Sequence, residues 1–492
     1  MASRGTVQRQ LVARHSERRL FAEALASDQP ELVTVYGRRR VGKTFLIREA
    51  LAGETCFELV GMHDVPLATQ LRAFATALAK ADGGRERPRP IDWHLAFEQL
   101  SQFLEPRLRR ARGKQVVFFD EVPWLASRRS GFLPAFEYFW NAWASRQPKL
   151  VVVLCGSAAS WMLENIVRQR GGLHHRVTRR VRVDPFSLAD TEELLLSRGV
   201  ELSRYQVCEL AMALGGIPHY LAQVRRGESA AQAIDRLCFA RDGLLRDEFT
   251  ELFASLFEQH ERHEAVVRAL ASHRRGLGRT ALLEAAGLDS GGAASRVLDE
   301  LEEAGFVLQV PRLGRTVRES VWWLADEFSL FHLTWIARHR SSSADGVWLR
   351  KQGTPAWRAW SGLAFEALCL KHVPAIKAAL GIAAVDTTQG SWERRGTCTE
   401  PGAQIDLVID RADRSTNLCE IKFAEGQYVL DKATAAEWRT KRDVFREATG
   451  TSRSLFVTLI TTHGLRDNEH ARGLVGQVVT LDALFAKRAT SP

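Results

Sequence analysis

No stretch of this 492-residue sequence is apolar for long enough to cross a bilayer, and its first ten residues, MASRGTVQRQ, lack the apolar run of a secretory signal. No membrane is expected, and a cytoplasmic location is. Cysteine is scarce: seven residues, none in CxxC or Cys/His ligand spacing, which argues against a disulfide framework and a structural zinc site. Reduced, mostly buried thiols are expected instead. His174 and His175 have no partners at ligand spacing either. Internal repeats and low-complexity tracts are absent as well. What is present is an ordinary globular mixture, 45% hydrophobic and 26% charged, in a chain too long for one core, so two to four domains are expected.

The formal net charge is +10, with positive residues gathered at 107–112 (RLRRAR), 174–182 and 274–279 (RRGLGR). Such clusters suit a polyanion partner, or equally a solvated helix face or phosphate-facing loop. Charge by itself does not choose between them.

The chain order is more informative. A helical spacing of Leu11, Leu20, Phe21 and Leu25 precedes a β-branched run, ELVTVYG at 31–37, and then a helical segment from Lys43 to Ala52. Further apolar runs at 116–119 and 150–155 alternate with helical patterns at 67–80 and 91–108, which predicts a parallel sheet covered by helices. After DPFSL at 184–188 the pattern turns helical and reads as a lid, ending in GGIPHYL at 215–221. Residues 263–326 read as three helices and a hairpin, VLQV and VWWL around a basic turn at 312–315, the order of a winged helix. SSSADG at 341–346 marks a boundary. Beyond it lie a helical pattern at 357–380, strand-like IDLVID and NLCEIKF, a charged helix at 432–449 and LFVTLITT at 455–462, a small α/β module.

Two places carry chemistry. Gly37, Arg38, Arg39, Arg40, Val41, Gly42, Lys43 and Thr44 match the spacing Gly, four residues, Gly-Lys-Ser/Thr, between a strand and a helix. That is the setting of a P-loop: backbone N–H groups curl around phosphates, Lys43 neutralises β/γ oxygens and Thr44 ligates magnesium. VVFFDEVPWL then ends a buried strand in Asp120, a magnesium ligand, and Glu121, the general base that polarises the attacking water. ATP and Mg2+ are the expected cofactors and hydrolysis the expected reaction. Ser157, after LVVVLCG, is either a γ-phosphate sensor or a helix cap. Arg170, Arg176, Arg179 and Arg180 are equal candidates for an arginine finger.

The second place is the C-terminal module. Asp406 sits on one strand, and Glu420 and Lys422 share a face of the next. Two acids and a lysine around one point can hold a hard cation and orient water; a hairpin with an exposed salt bridge has the same pattern. Arg439, Lys441 and Arg442 on the following helix suit a phosphate backbone or a solvated face. Trp322, Trp323, Trp357 and Trp360 are expected in packing rather than base stacking.

GRRRVGKT, the FFDE strand, LCGS, DPFSL and GGIPHYL together resemble the prokaryotic AAA-type ATPases of the archaeal-ATPase group, related to the signal-transducing STAND NTPases, over residues 10–330. Arg14-His15 stands where that group has Arg-Glu, which separates Arg14 from an adenine-contacting role. The C-terminal pattern resembles the PD-(D/E)XK nuclease superfamily, in which Glu366 matches a helical glutamate assisting a metal held by Asp406 and Glu420, with Lys422 catalytic. The fold class expected is α/β: a P-loop parallel sheet with a helical lid at 1–230, an α+β winged helix at 231–340, a linker at 341–355 and a restriction-endonuclease-like domain at 356–492. Two functions follow: an ATPase coupled to a nucleic-acid-processing module, DNA rather than RNA, or a regulatory ATPase switch whose C-terminal module only binds. The oligomeric state, homo-oligomer included, stays open.

Overall fold

The computed structural model describes residues 11–167, 173, 175–257, 259–273, 276–311, 320–339, 346–394, 396 and 402–486. By its internal contacts the chain divides into two compact units, Met1–Asp184 and Pro185–Pro492.

The first unit is built on five parallel strands: β1 (Glu31–Tyr36), β2 (Thr55–Val60), β3 (Gln115–Asp120), β4 (Leu150–Gly156) and β5 (Arg179–Arg182), in the order β2-β3-β4-β1-β5. Every residue of β1 and β4 is buried, as the β-branched and leucine-rich sequences of strands covered on both faces require. Helices α1 (His15–Ala26), α2 (Lys43–Ala50), α3 (Leu67–Ala81) and α4 (Trp93–Arg110) surround the sheet. Asp92 caps α4 by accepting from the Leu95 N–H at 2.8 Å, and the apolar stripe of α4 enters an aromatic core in which Trp93 meets Phe132 at 4.9 Å and Phe97 stacks on Phe139 at 5.1 Å. Each such ring contributes roughly 1.5–3 kcal/mol by leaving water.

Two basic stretches resolve into ordinary structure. Arg107 donates to the Ala81 carbonyl at 2.7 Å and lies 4.4 Å over the Phe103 ring, and Arg109 pairs with Glu105, so the 107–110 run is the solvated end of α4. Residues 179–182 are β5, joined to β1 with Arg179 opposite Val33 and Arg182 opposite Tyr36.

In the second unit, helices Leu188–Ser197, Arg204–Leu214, Ala230–Cys238 and Glu248–Leu256 come first. The helices expected to form the ATPase lid thus group with the C-terminal part: Arg204 pairs with Asp482 at 3.0 Å, and the Tyr205 ring stacks between Phe423 at 5.0 Å and His463 at 5.4 Å. Helices His260–Ser272, Arg279–Ala285 and Gly292–Glu303 follow, with a small antiparallel sheet of β6 (Leu277–Gly278), β7 (Val307–Val310) and β8 (Val321–Leu324) in the order β6-β8-β7. The basic turn with Arg312, Arg315 and Arg318 lies outside the described residues, as do His174 and Arg170. Trp322, Trp323, Trp357 and Trp360 are all buried packing residues.

The C-terminal sheet comprises β9 (Thr387–Arg394), β10 (Ala403–Arg411), β11 (Ser415–Lys422), β12 (Ser454–Thr461) and β13 (Val475–Thr480), in the order β13-β12-β11-β10-β9. β9, β10 and β11 run antiparallel; β11, β12 and β13 run parallel, with helix Lys432–Thr449 crossing from β11 to β12. The helix expected at 357–380 is two helices, Pro355–Lys371 and Val373–Ala379, because Pro374 cannot continue the first. All described cysteines are free, five of them buried. Among the described residues no helix is long and apolar enough to cross a membrane.

Candidate functional site

The carboxyl ends of β1, β3 and β4 meet at one edge of the first sheet, bringing together Gly37, Asp120 and Ser157. This is where a doubly wound sheet opens a crevice. Gly37 (φ 149°) leaves β1 so close to the neighbouring chain that a Cβ there would sit 2.2 Å from the Val183 carbonyl oxygen. Gly42 (φ 88°) turns the loop into α2, and the space where its Cβ would point is open. No side chain caps the start of α2, which leaves a helix N-terminus facing the loop.

Lys43 is buried, and its ammonium donates to the carbonyls of Gly37 and Arg38, both at 2.9 Å, and to the Ser157 hydroxyl at 3.3 Å. Burial pulls this lysine below its ordinary value, against the attraction of the Glu121 and Asp120 carboxylates. The Thr44 hydroxyl donates to Asp120 Oδ2 at 2.8 Å, while Asp120 Oδ1 accepts from the Glu121 N–H at 3.0 Å. Glu121 sits in the left-handed region (φ 50°, ψ 51°), which swings its carboxylate toward β4. There it accepts from the Ser157 N–H at 3.1 Å and from the Ser157 hydroxyl. Ser157 does not cap a helix; Ala158 holds that position, without a side-chain bond. Within the loop, Arg39 is exposed, Arg40 takes a positive φ of 68°, and Val41 is buried.

Three contributors were hidden in the sequence. Arg14, itself left-handed (φ 58°), is buried: its guanidinium donates to the Val41 carbonyl at 2.9 Å and the Asp184 carbonyl at 2.7 Å, and pairs with Glu17 at 3.0 Å. It thereby ties the phosphate loop to the exit of β5, a backbone contact that the motif itself gives no sign of. Gly61, after β2, donates to the Asp120 carbonyl at 2.9 Å, and a Cβ there would stand 2.5 Å from the Glu121 carbonyl oxygen. Gln70 bonds the Met62 and Trp124 carbonyls at 2.7 and 3.1 Å, tying the β2 exit to the turn after Glu121. Of the finger candidates, Arg179 pairs with Glu23 at 2.9 Å and Glu31 at 3.5 Å, and it and Arg180 face Val33 and Thr34, away from the carboxyl end of β1.

In the second unit the hairpin of β10 and β11 brings Asp406, Glu420 and Lys422 together. Lys422 Nζ lies 3.9 Å from Asp406 Oδ2 and 3.5 Å from Glu420 Oε2, and Asp406 Oδ2 accepts from the Ile421 N–H at 3.0 Å. Lys441, from helix Lys432–Thr449, places its ammonium 2.9 Å from both oxygens of Glu420. Burial and then repulsion from Asp406 raise the Glu420 carboxyl, with Lys422 and Lys441 opposing. Burial pulls both lysines down, but the carboxylates prevail and hold them above their ordinary range. Glu366 lies on helix Pro355–Lys371, one turn before Cys369, a buried thiol pushed up by burial and then by its neighbours, the Glu366 and Asp406 carboxylates among them. Among the described residues no group of three or more His, Cys, Asp or Glu side chains is placed to hold an ion, Glu366, Asp406 and Glu420 included. Glu420 faces Lys441 instead of Glu366.

Residues 11–224 match the family of ATPase domains found predominantly in Archaea. The chain thus carries an ATPase domain of the P-loop type. It is 21% identical over 418 residues, 84% of this chain and 88% of the other, to an uncharacterized protein of Methanocaldococcus jannaschii. Among solved structures it is similar to a Walker-type ATPase of Pyrococcus abyssi (18% identity, 66% of this chain and 96% of that one, TM-score 0.49). It is also similar to the ORC2 protein of Aeropyrum pernix in its ADPNP–ADP complexes (16% identity, 69% and 98%, TM-score 0.41).

Proposed function

We propose that this protein is an ATP-hydrolysing switch in which residues 37–44 hold the phosphates, Glu121 is the general base, Ser157 senses the γ-phosphate and the C-terminal module binds rather than cleaves. The reading is carried by the constellation at the sheet edge, where Lys43, Thr44, Asp120, Glu121 and Ser157 form one connected hydrogen-bond network.

With nucleotide present, the loop amides and the uncapped start of α2 supply donors to phosphate oxygens. Lys43 exchanges its carbonyl partners for phosphate, a stronger, charge-assisted bond. The Thr44 hydroxyl and Asp120 carboxylate are adjacent hard oxygen donors, the set that suits Mg2+, and Mg2+ there would offset charge on the β- and γ-oxygens. Ser157 touches both Lys43 and Glu121, so a γ-phosphate that draws Lys43 away also changes the hold on Glu121. In that way the base is aligned only when a triphosphate is in place. Titration with a fluorescent ATP analogue tests the site: Lys43→Ala should abolish saturable, magnesium-dependent binding. Glu121→Gln should bind normally and turn over about 100-fold more slowly or worse; undiminished turnover would refute the assignment.

Binding without cleavage is favoured in the second unit by two observations. Lys441 occupies the carboxylate a metal would need, and the third helix of the winged-helix-like segment, Gly292–Glu303, carries Asp299, Glu300, Glu302 and Glu303 against the single Arg296, a balance that repels a phosphate backbone. Metal-dependent nucleic-acid processing remains a second reading because β10 and β11 do bring Asp406, Glu420 and Lys422 to one point. Incubation with plasmid, linear and single-stranded DNA, with ATP and Mn2+, separates the two: cleavage lost in Lys422→Ala would establish the second.

A further inference from the structure

We infer that Lys441 is a tethered cation standing where a divalent metal would have to sit, so that the C-terminal acid pair is complete without metal. The inference deepens the binding-only reading of this module and is independent of the ATPase.

Glu420 is 3% exposed; both its carboxylate oxygens accept from Lys441 Nζ at 2.9 Å, and Oε2 accepts from Lys422 at 3.5 Å as well. Asp406 spends Oδ2 on the Ile421 N–H, with Lys422 beyond it at 3.9 Å. The buried Glu420 and the half-buried Asp406 would repel each other; Lys422, in reach of both, and Lys441, on Glu420, offset that cost. A dication entering the same space would meet two ammonium groups, a repulsion much larger than thermal energy at these separations. Lys441 also pairs with the exposed Glu437 at 3.1 Å, one turn earlier on its own helix.

Lys441 is held there by its helix. Asp431 caps Lys432–Thr449 by accepting from the Thr434 N–H at 2.7 Å, and Gly450 (φ 60°) closes it. Trp438, three residues before Lys441, is buried with Leu459 of β12, and Phe445, four residues after, packs on Trp392 of β9 at 5.0 Å. The face bearing Lys441 is thus the one turned to the sheet. Access is not what excludes an ion. A groove of about 780 Å³, lined in part by Arg394, Gln404, Asp406, Thr440 and Lys441, opens onto the cluster.

The test uses the full chain carrying Lys43→Ala, without nucleotide, so that the phosphate loop takes up no metal. Free Mn2+ is followed by electron paramagnetic resonance up to about 1 mM, the weak end of carboxylate cation sites. This parent protein should take up no ion that depends on Glu420. Adding Lys441→Met should create a site for one Mn2+ per chain, at least about tenfold tighter than any residual binding, and Glu420→Gln on top should remove it; Lys441→Arg should not create it. Saturable Mn2+ uptake by the parent, lost in Glu420→Gln, overturns the inference without needing any lysine variant to fold. So does a folded Lys441→Met protein, checked by its circular dichroism melt, that gains no site. Nucleic-acid cleavage by the unmodified chain in the absence of such uptake would instead sink the binding-only reading and leave the role of Lys441 standing.

Discussion

Replacing Arg14 with alanine should weaken ATP binding while sparing the chemical step. Arg14 is 8% exposed, and its guanidinium bridges two carbonyls, Val41 in the phosphate loop and Asp184 at the exit of β5. A hydrogen bond from a charged donor contributes about 1.5–3 kcal/mol, and a carbonyl left buried without a partner costs a similar amount. The Asp184 share falls on stability alone. The Val41 share falls on the loop, which must then be ordered by the nucleotide, so affinity for ATP should drop about 10- to 100-fold. Stability lost through both bonds, about 3–6 kcal/mol in all, should lower the melting temperature by roughly 6–24 °C, at about 2–4 °C per kcal/mol for a unit of this size. Glu121 and Ser157 are untouched, so kcat should stay within about twofold while KM rises. Arg14→Lys should recover little, because one ammonium cannot reproduce the fork that reaches both carbonyls. Fluorescent-nucleotide titration and steady-state turnover read the split. An alanine variant that melts lower but binds ATP as tightly as the parent would refute the idea that Arg14 positions the loop.

Gly61→Ala should have the opposite signature. Its Cβ would push on the Glu121 carbonyl oxygen, so kcat should fall about 10- to 100-fold with KM little changed, measurable by phosphate release. Thr44→Ala should leave magnesium-free nucleotide binding nearly intact and erase most of the gain that Mg2+ brings, as read by titration with and without EDTA. Glu209, on helix Arg204–Leu214, is pushed up to about 7, first by burial and then by the Glu425 charge. The folded protein therefore keeps this proton where the unfolded chain has released it, and stability falls as pH rises from 4.5 to 7, by up to about 3 kcal/mol. Glu209→Gln should flatten that part of the pH–stability curve and stabilise the protein at pH 8 in denaturant melts; an unchanged slope would show that Glu209 is not the group responsible.

The loop, β3 and β4 were legible because their chemistry and burial coincide: a continuous apolar run, then a residue type that phosphate or magnesium demands. β5 was not, since Arg179–Arg182 has one buried side chain, Val181, and otherwise reads as a charge cluster. Edge strands β9 and β13 escape for a related reason: Thr387–Arg394 is mostly polar, Val475–Thr480 is broken by Gly476 and Gln477, and both are half-exposed, so no long hydrophobic run announces them. The loop-tying role of Arg14 and the role of Gly61 are not legible because each acts through backbone, Arg14 on carbonyl oxygens and Gly61 by leaving room. In the sequence Lys441 is one of three basic residues on its helix that suit a phosphate backbone or a solvated face. Its actual partner, Glu420, lies 21 residues away and becomes a neighbour only when the helix folds back over the sheet.

The docking of helix Arg204–Leu214 on the C-terminal sheet bears on how the protein can be cut. A fragment ending near residue 230, the end expected for the lid, would strip Tyr205 of Phe423 and His463 and leave Arg204 without Asp482. Such a piece would present a fresh greasy face to solvent and be prone to self-association in a test tube. Dissection is better attempted at the junction of Asp184 and Pro185, with everything downstream kept together as one preparation.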